Sequence, residues 1–220
     1  MQVEIWADVI CPWCGIGNHR LEAALEQFGH RDDVERDDVE VVHRSFQLDA
    51  AAPVGPTPTV REMLRARYGM SDEQFEASTR RVEAIAEADG LRPYIVSDNR
   101  TGNTGLAHQL LAYAGEQGLS DAAWRRLFEA YFGEARSIFD IESLVELASE
   151  IGLDPAATRD ALESGRYADR VAEDARVARE LGTTGVPFVV IDRKYGVAGA
   201  QPVELIVETL ERAWDEAHPA

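Results

Sequence analysis

The chain has 220 residues, 45% of them hydrophobic, and its 40 acidic and 22 basic residues give a formal net charge of −18. This length can bury one sizeable core, or a core with a smaller second one, and no apolar run approaches the roughly 18 residues of a membrane-spanning helix. The negative charge argues against nucleic acid and anionic membranes as partners, because phosphate binding needs the opposite sign.

The first predicted element is a buried strand that begins two residues after Met1. This leaves no room for a signal peptide, and we therefore expect a cytoplasmic protein. The N-terminal part has a β-α-β pattern followed by a linker rich in proline and glycine. Its predicted elements are a strand at 3–10, a helix at 12–28, a charged loop at 30–38, a strand at 39–48 and a linker at 50–58.

After the linker the hydrophobic period becomes helical. Thr59 with Glu62, and Ser71 with Gln74, fit capping boxes, and glycines 69 and 90 fit helix stops. Further helices are predicted at about 104–117, 120–132, 140–151, 155–164 and 167–181, then a hairpin at 188–191 and 194–198, and a helix at 202–217. The pattern predicts an α/β domain split into 1–49 and 182–220, interrupted by an all-helical insertion at 59–181.

The charge excess has two explanations. Lys194 is the single lysine of the chain, and an arginine-biased, GC-rich genome explains that preference. Such a bias does not explain the surplus of carboxylates, which suits a halophilic protein, since charges are screened within about 3 Å at molar salt. We expect salt adaptation, and we expect the acidic pair Glu173-Asp174 to lie on a solvated face.

The only two cysteines form a C-x-x-C pair, Cys11-Pro12-Trp13-Cys14, between the first strand and the first helix. Disulfide exchange is carried out by a thiolate, and a helix N-terminus stabilises negative charge on the sulfur of Cys11. Cys14 follows by one helical turn, which suits a resolving thiol. Pro12 fits the first turn, where its missing N–H would have no helical partner. The pattern predicts a redox pair with Cys11 as nucleophile.

In these motifs the chain resembles the DsbA-like oxidoreductases of the thioredoxin fold, and among them the FrnE-like branch. The resemblance is carried by the segments 7–17 and 184–189, the latter reading Thr-Gly-Val-Pro-Phe-Val, with weaker matches at 44–48, 103–104 and 107–108. It covers nearly the whole length. It implies an α/β fold in which a thioredoxin fold is interrupted by a large all-helical insertion.

The resemblance also implies how substrate would bind. In thioredoxin-like proteins a cis-proline loop faces the cysteine pair, and here that loop would be Val186-Pro187. The backbone of Val186 would pair with an extended substrate as an added strand. Pro12 and Trp13 are further candidates for contact with substrate, and packing against the insertion is the alternative for Trp13. The expected substrates are disulfide-containing proteins or small molecules. We expect no bound cofactor, with glutathione or another low-molecular-weight thiol as redox partner, and the oligomeric state is left open.

One position departs from the family pattern. Thioredoxin and DsbA have a buried carboxylate six residues before the first cysteine, and Ile5 holds that position here. Asp8 is the nearest carboxylate and a candidate proton relay for Cys14, although a residue at such a position more often caps the loop. His108 is a candidate cleft residue, with a packed or surface position as the alternative.

A metal site is the alternative interpretation of the two cysteines. Cys11, Cys14 and His19 have the residue types of zinc ligands, with His43 as a distant fourth. A closed zinc site usually pairs two ligand clusters, and the chain has one, so we expect no metal.

The sequence leaves alternatives open for the direction of the reaction and for the class of function. A potential near that of DsbA, about −120 mV, lies roughly 100 mV above the cytosolic glutathione poise, a gap of about 4 to 5 kcal/mol that favours the dithiol. This predicts a reductase or isomerase. The alternatives are a kappa-class glutathione transferase or a hydroxychromene-carboxylate isomerase, which have serine near the first cysteine, and a non-catalytic peptide-binding or chaperone-like module.

Overall fold

The computed structural model describes residues 1–31, 34–35, 38–55 and 57–219. The predicted loop at 30–38 and the predicted linker at 50–58 each include residues outside these ranges. The chain divides into two compact units, one of Met1–Phe46 with Asp174–Ala220 and one of Gln47–Glu173. The second unit is inserted in the sequence of the first, as the predicted insertion was, but it spans 47–173 where 59–181 was predicted.

The elements follow the predicted order of β-α-β, helices and β-β-α. In the first unit and the insertion they are β1 (Gln2–Ala7), α1 (Pro12–Phe28), β2 (Glu40–Ser45), α2 (Val60–Tyr68), α3 (Asp72–Ala88), α4 (Gly105–Glu116), α5 (Ser120–Phe128), α6 (Ile141–Glu150), α7 (Pro155–Glu163), α8 (Ala168–Glu180), β3 (Phe188–Ile191), β4 (Tyr195–Ala198) and α9 (Val203–Ala217). Both strands of the β-α-β unit are shorter than predicted.

The first unit is built on a mixed sheet with the strand order β2-β1-β3-β4. β1 runs parallel to β2 and antiparallel to β3, and β3 and β4 form a hairpin. Because successive side chains of a strand point to opposite faces of the sheet, β1 contributes side chains to both faces. Ile5 packs with Leu21 of α1 and Leu210 of α9, whereas Trp6 packs on the opposite face with Ala178 of α8. These layers form the expected thioredoxin-like arrangement.

The second unit is helical, and the helix N-termini predicted from local sequence are present in the structure. Both predicted capping boxes are present, at the N-termini of α2 and α3. The predicted helix at 120–132 instead changes at Glu129–Gly133 into a π-helical turn. The backbone carbonyl of Phe132 in that turn accepts from the N–H of Ile95 at 2.6 Å, a long-range contact that periodicity does not reveal. No helix in the described ranges is long and apolar enough to cross a membrane.

A buried ionic cluster explains where the chain re-enters the first unit. Asp174 of α8 is buried, so its expected position on a solvated face was wrong. Its carboxylate accepts from Arg44 Nη1 at 3.2 Å and from the backbone N–H of Ser45 at 3.0 Å, and its carbonyl accepts from Trp6 Nε1 at 2.9 Å. Arg44 also pairs with the buried Glu4 at 2.9 Å. The boundary therefore lies at residue 174 and not at 182.

We predict that Asp174→Ala lowers the free energy of unfolding by about 3 kcal/mol, because it leaves the Arg44 guanidinium and the backbone N–H of Ser45, both on β2, without the carboxylate that accepts from them. Urea denaturation at neutral pH measures the change. Asp174→Asn keeps an acceptor for Ser45 and should lose less. The exposed neighbour Glu173→Ala serves as control and should change stability by no more than about 0.5 kcal/mol. Equal losses at 173 and 174 would contradict the role of the cluster.

Candidate active site

The turn between β1 and α1 sets the position of the first cysteine. β1 ends at Ala7, and the backbone N–H of Cys11 donates to the carbonyl of Asp8 at 3.1 Å, which closes a turn. The prediction that the strand continues to residue 10 was therefore wrong, although Val9 is buried as a strand residue would be. The turn places Cys11 directly at the start of α1.

Cys11 is the N-cap residue of α1 and has an extended backbone. Its carbonyl accepts from the N–H groups of Cys14 at 2.9 Å and Gly15 at 3.3 Å, which begins the helix. Pro12 occupies the first turn as predicted. The sulfur of Cys11 therefore lies at the helix N-terminus, where unpaired backbone N–H groups and the helix dipole favour negative charge.

Cys14 has a different environment from Cys11. Its side chain is fully buried, and its Sγ accepts from the backbone N–H of Asp8 at 3.5 Å. Burial, followed by the hydrogen bond to Cys11 and the negative charge of Cys11, raises the pKa of the Cys14 thiol well above its ordinary value. The charge of Asp8 adds to this rise in pKa, while the hydrogen bond from its backbone opposes it. Both cysteines are free thiols.

The loop before β3 lies against the first cysteine. The thiol of Cys11 donates to the backbone carbonyl of Val186 at 3.6 Å, across 175 residues of sequence. The peptide bond between Val186 and Pro187 is cis. The carbonyl of Pro187 accepts from the N–H of Gly199 at 2.8 Å, which ties the loop to the end of β4.

Helix α1 approaches this loop at a glycine that the sequence reasoning missed. A Cβ atom added to Gly17 would lie 2.7 Å from Cγ of Pro187 and 3.6 Å from Cβ of Ala200. One turn later, Arg20 Nη1 donates to the carbonyl of Ala200 at 2.7 Å. The only hint in the sequence is a glycine three residues after Cys14, in a helix interior where glycine is unfavourable.

The remaining candidates differ in exposure. Trp13 is 37% exposed, and Asp8 is fully buried beside Cys14. His108 is fully buried in α4 of the other unit, and its ring lies edge-on to Trp124 at 5.8 Å between centroids. It is a packed residue of the helical core, so the prediction of a cleft position gives way to its packed alternative.

Residues of the weaker sequence matches form hydrogen bonds with one another. Gln47 Nε2 donates to Thr104 Oγ1 at 3.4 Å, and the carboxamide of Asn103 accepts from the N–H of Gly105 at 2.8 Å, within the helical unit. His43 donates to Asn18 and does not join the cysteines. Among the described residues no group of three or more His, Cys, Asp or Glu side chains is arranged to hold a metal ion.

A mixed sheet flanked by helices, with two thiols at the start of α1 opposite a cis-proline loop, defines a thioredoxin-fold protein with a dithiol site. The model of the DsbA-like thioredoxin domain matches residues 2–211. The chain therefore belongs to the family of DsbA-like thioredoxin domain proteins.

Solved structures agree with this family. A probable DsbA oxidoreductase from Streptomyces coelicolor is 46% identical, with a TM-score of 0.92 over 100% of this chain and 92% of that one. A 2-hydroxychromene-2-carboxylate isomerase is 18% identical, with a TM-score of 0.74 over 99% and 98% of the two chains. The cytosolic disulfide reductase DsbM from Pseudomonas aeruginosa, solved with GSH, is 20% identical, with a TM-score of 0.62 over 97% and 99%. At these lower identities the likeness concerns the fold alone.

We predict that Gly17→Ala moves the Pro187 loop or lowers the free energy of unfolding by about 1 to 3 kcal/mol, because the added methyl group meets the proline ring. Denaturant unfolding and the rate of Cys11 alkylation measure the two effects. Gly115→Ala is the matched control, since an added Cβ there meets nothing within 4 Å and should be neutral or stabilising by up to about 1 kcal/mol. The same loss at both glycines would contradict a specific contact with Pro187.

Proposed function

We propose that the protein is a thiol-disulfide oxidoreductase that acts through Cys11 and Cys14. The observation that carries the proposal is the position of the Cys11 thiol, at a helix N-terminus and 3.6 Å from the carbonyl of Val186. An extended chain paired with the backbone of Val186 would bring its disulfide to this sulfur. Trp13 provides an exposed apolar surface beside it.

In the first step the thiolate of Cys11 attacks one sulfur of the substrate disulfide. A bond forms between Cys11 and that sulfur, the substrate S–S bond breaks, and the second substrate sulfur leaves with the electron pair and takes up a proton. The helix N-terminus favours the attacking thiolate. Cys14 does not compete for substrate, because it is fully buried and its raised pKa keeps it protonated at neutral pH.

In the second step Cys14 resolves the mixed disulfide. It loses its proton and attacks Cys11, the bond between the two cysteines forms, and the bond from Cys11 to substrate breaks. The released substrate sulfur takes up a proton. Two electrons pass from the dithiol to the substrate, and two thiol molecules such as glutathione would return them to the protein. No bound cofactor is needed, since the cysteines carry the electrons.

We propose a cytoplasmic location and net reduction or isomerisation of disulfides in proteins or small molecules. A dithiol with a DsbA-like potential would remain reduced in the cytosol. The fold shared with a cytosolic disulfide reductase solved with GSH supports glutathione as a redox partner. We further propose a relationship to the FrnE-like branch. We also propose adaptation to high salt, and the dependence of the unfolding midpoint on potassium chloride concentration tests it.

A second candidate is the glutathione-dependent chemistry of an isomerase or a kappa-class transferase. This candidate is supported by the fold that the chain shares with the 2-hydroxychromene-2-carboxylate isomerase, at a TM-score of 0.74. The two free cysteines argue against it, because those enzymes use serine near the first cysteine. Activity that survives loss of both thiols would favour this candidate or a chaperone-like module.

We predict that Cys14→Ser accumulates a mixed disulfide through Cys11, because the first step proceeds and the second cannot. Cys11→Ser should give no adduct with the same disulfide substrate, since the remaining thiol is buried and protonated. Mass spectrometry of protein incubated with glutathione disulfide identifies the adduct and its position. Equal trapping by the two variants would contradict the assigned roles.

A second prediction concerns the direction of reaction. In glutathione buffers set to the cytosolic poise, about −220 mV or lower, the wild-type pair should be mostly dithiol. Thiol counting after acid quenching measures the reduced fraction, and the two single-cysteine variants are controls that cannot form the intramolecular disulfide. A pair that is mostly disulfide at this poise would contradict net reduction, and the absence of any two-electron transition would contradict the oxidoreductase itself.

A further inference from the structure

Asp8 lies between the two cysteines and contacts both of them through its backbone. Its carbonyl accepts from the N–H of Cys11 at 3.1 Å, and its own N–H donates to Sγ of Cys14 at 3.5 Å. An aspartate side chain is short, so the carboxylate stays close to the backbone that contacts the cysteines. The residue therefore brings a proton-accepting group close to the sulfur of Cys14.

The thiol of Cys14 needs such an acceptor within the protein. Its side chain has no exposed surface, so bulk water does not reach the sulfur. Burial also disfavours the charged thiolate, and the pKa of this thiol is raised well above its ordinary value. In the proposed mechanism Cys14 nevertheless loses its proton when it attacks Cys11. A buried group beside the thiol is therefore the direct route for this proton.

The other buried carboxylates of the described residues are held by an arginine. Glu4 and Asp174 are both buried, and they accept from Arg44 at 2.9 and 3.2 Å. An ion pair favours the charged form of a carboxylate and so lowers its tendency to take up a proton. Neither carboxylate is among the groups that act on the pKa of Cys14. Glu4 and Asp174 are therefore not suited to receive the proton of this thiol.

The charge of Asp8 does act on Cys14. After burial and the hydrogen bond to Cys11, the negative charges of Cys11 and Asp8 raise the pKa of the Cys14 thiol. In the mixed disulfide Cys11 is bonded to substrate and has no charge, so the carboxylate of Asp8 is the charge that remains. Proton transfer needs hydrogen-bond distance or one intervening water, and a short side chain on a residue that already contacts the sulfur suits either route.

We propose that the Asp8 carboxylate accepts the proton of Cys14 when this thiol resolves the mixed disulfide. The inference rests on the proposed function, since resolution is the step that requires the proton to leave. The sulfur of Cys14 attacks that of Cys11 as its proton passes to Asp8, the bond between the cysteines forms, and the bond from Cys11 to substrate breaks. The substrate sulfur leaves with the electron pair and takes up a proton from solvent. Asp8 then returns the proton that it received to solvent.

Asp8→Asn separates proton transfer from the other roles open to this residue. Asparagine has a similar shape and keeps a side-chain oxygen that can cap the turn, but it carries no charge and does not take up the proton. Loss of the charge should lower the pKa of the Cys14 thiol. A lower pKa by itself gives more thiolate and faster resolution, whereas loss of the proton acceptor slows resolution. The two roles therefore predict opposite changes in rate.

We expect the mixed disulfide at Cys11 to resolve roughly a hundredfold more slowly in Asp8→Asn than in wild type, the lower end of what a positioned proton acceptor contributes. Mass spectrometry after acid quenching follows its decay when reduced protein is mixed with glutathione disulfide. In a Cys11→Ser background, ultraviolet absorbance of the thiolate should show a lowered pKa of Cys14. Slower resolution together with a lowered pKa is a combination that a charge or a turn cap alone does not give.

Glu26→Gln is the matched control, since it removes a negative charge from an exposed position on α1 and should change neither readout. Resolution in folded Asp8→Asn that is as fast as in wild type, or faster, would overturn the inference, and so would an unchanged pKa of Cys14. Circular dichroism tests folding. If the asparagine variant does not fold, Asp8→Ser removes the carboxylate with a smaller side chain and is judged by the same two readouts.

The outcomes separate this inference from the proposed function. Failure of the wild-type protein to form any mixed disulfide contradicts the proposed oxidoreductase and, with it, the role of Asp8. Normal formation and resolution in wild type, with resolution in Asp8→Asn at the wild-type rate, contradicts the role of Asp8 alone. The titration of Cys14 needs no substrate, so the effect of the carboxylate on this thiol is measured in either case.

Discussion

The antiparallel pairing of β1 with β3 is the constraint on which the site depends. Antiparallel neighbours place the C-terminal end of one strand beside the N-terminal end of the other, and here Trp6 pairs with Phe188. Cys11 follows β1 and Val186 precedes β3, so the sheet itself brings together two segments 175 residues apart. The insertion can therefore be long without disturbing the site, because both flanking segments are fixed by the same central strands.

Helix α1 completes this arrangement through a close approach to the proline loop. A glycine in a helix interior costs about 0.5 to 1 kcal/mol relative to alanine. At Gly17 this cost is offset, because a larger residue would enter the ring of Pro187. The bond from Arg20 to Ala200 continues the attachment one turn further. The same helix thus supplies the N-terminus for Cys11 and the surface against which the loop rests.

Local signals in the sequence were sufficient for much of the fold. The bounds of α1, the capping boxes at Thr59 and Ser71, and the hairpin of β3 and β4 depend on residues close in sequence. Features decided by distant contacts were missed, among them the π-helical turn at 129–133 and the burial of Asp174 by Arg44. At the site, spacing alone predicted the cysteine pair. The position of the proline loop came from family resemblance, because no periodicity links residues 175 apart.

The two thiols differ because the structure treats their charges differently. Cys11 meets the N-terminus of α1, where a thiolate is favoured, and it lies beside the loop that an extended substrate would contact. Cys14 is enclosed, and its raised pKa means that it gives up its proton only at a cost. In the proposed mechanism, a buried thiol with a raised pKa would not start the reaction, but it could complete it once Cys11 is bound to substrate and no longer carries negative charge. Loss of the Cys11 charge removes one of the causes that raise the pKa of Cys14. Formation of the proposed mixed disulfide would therefore itself promote the attack that resolves it.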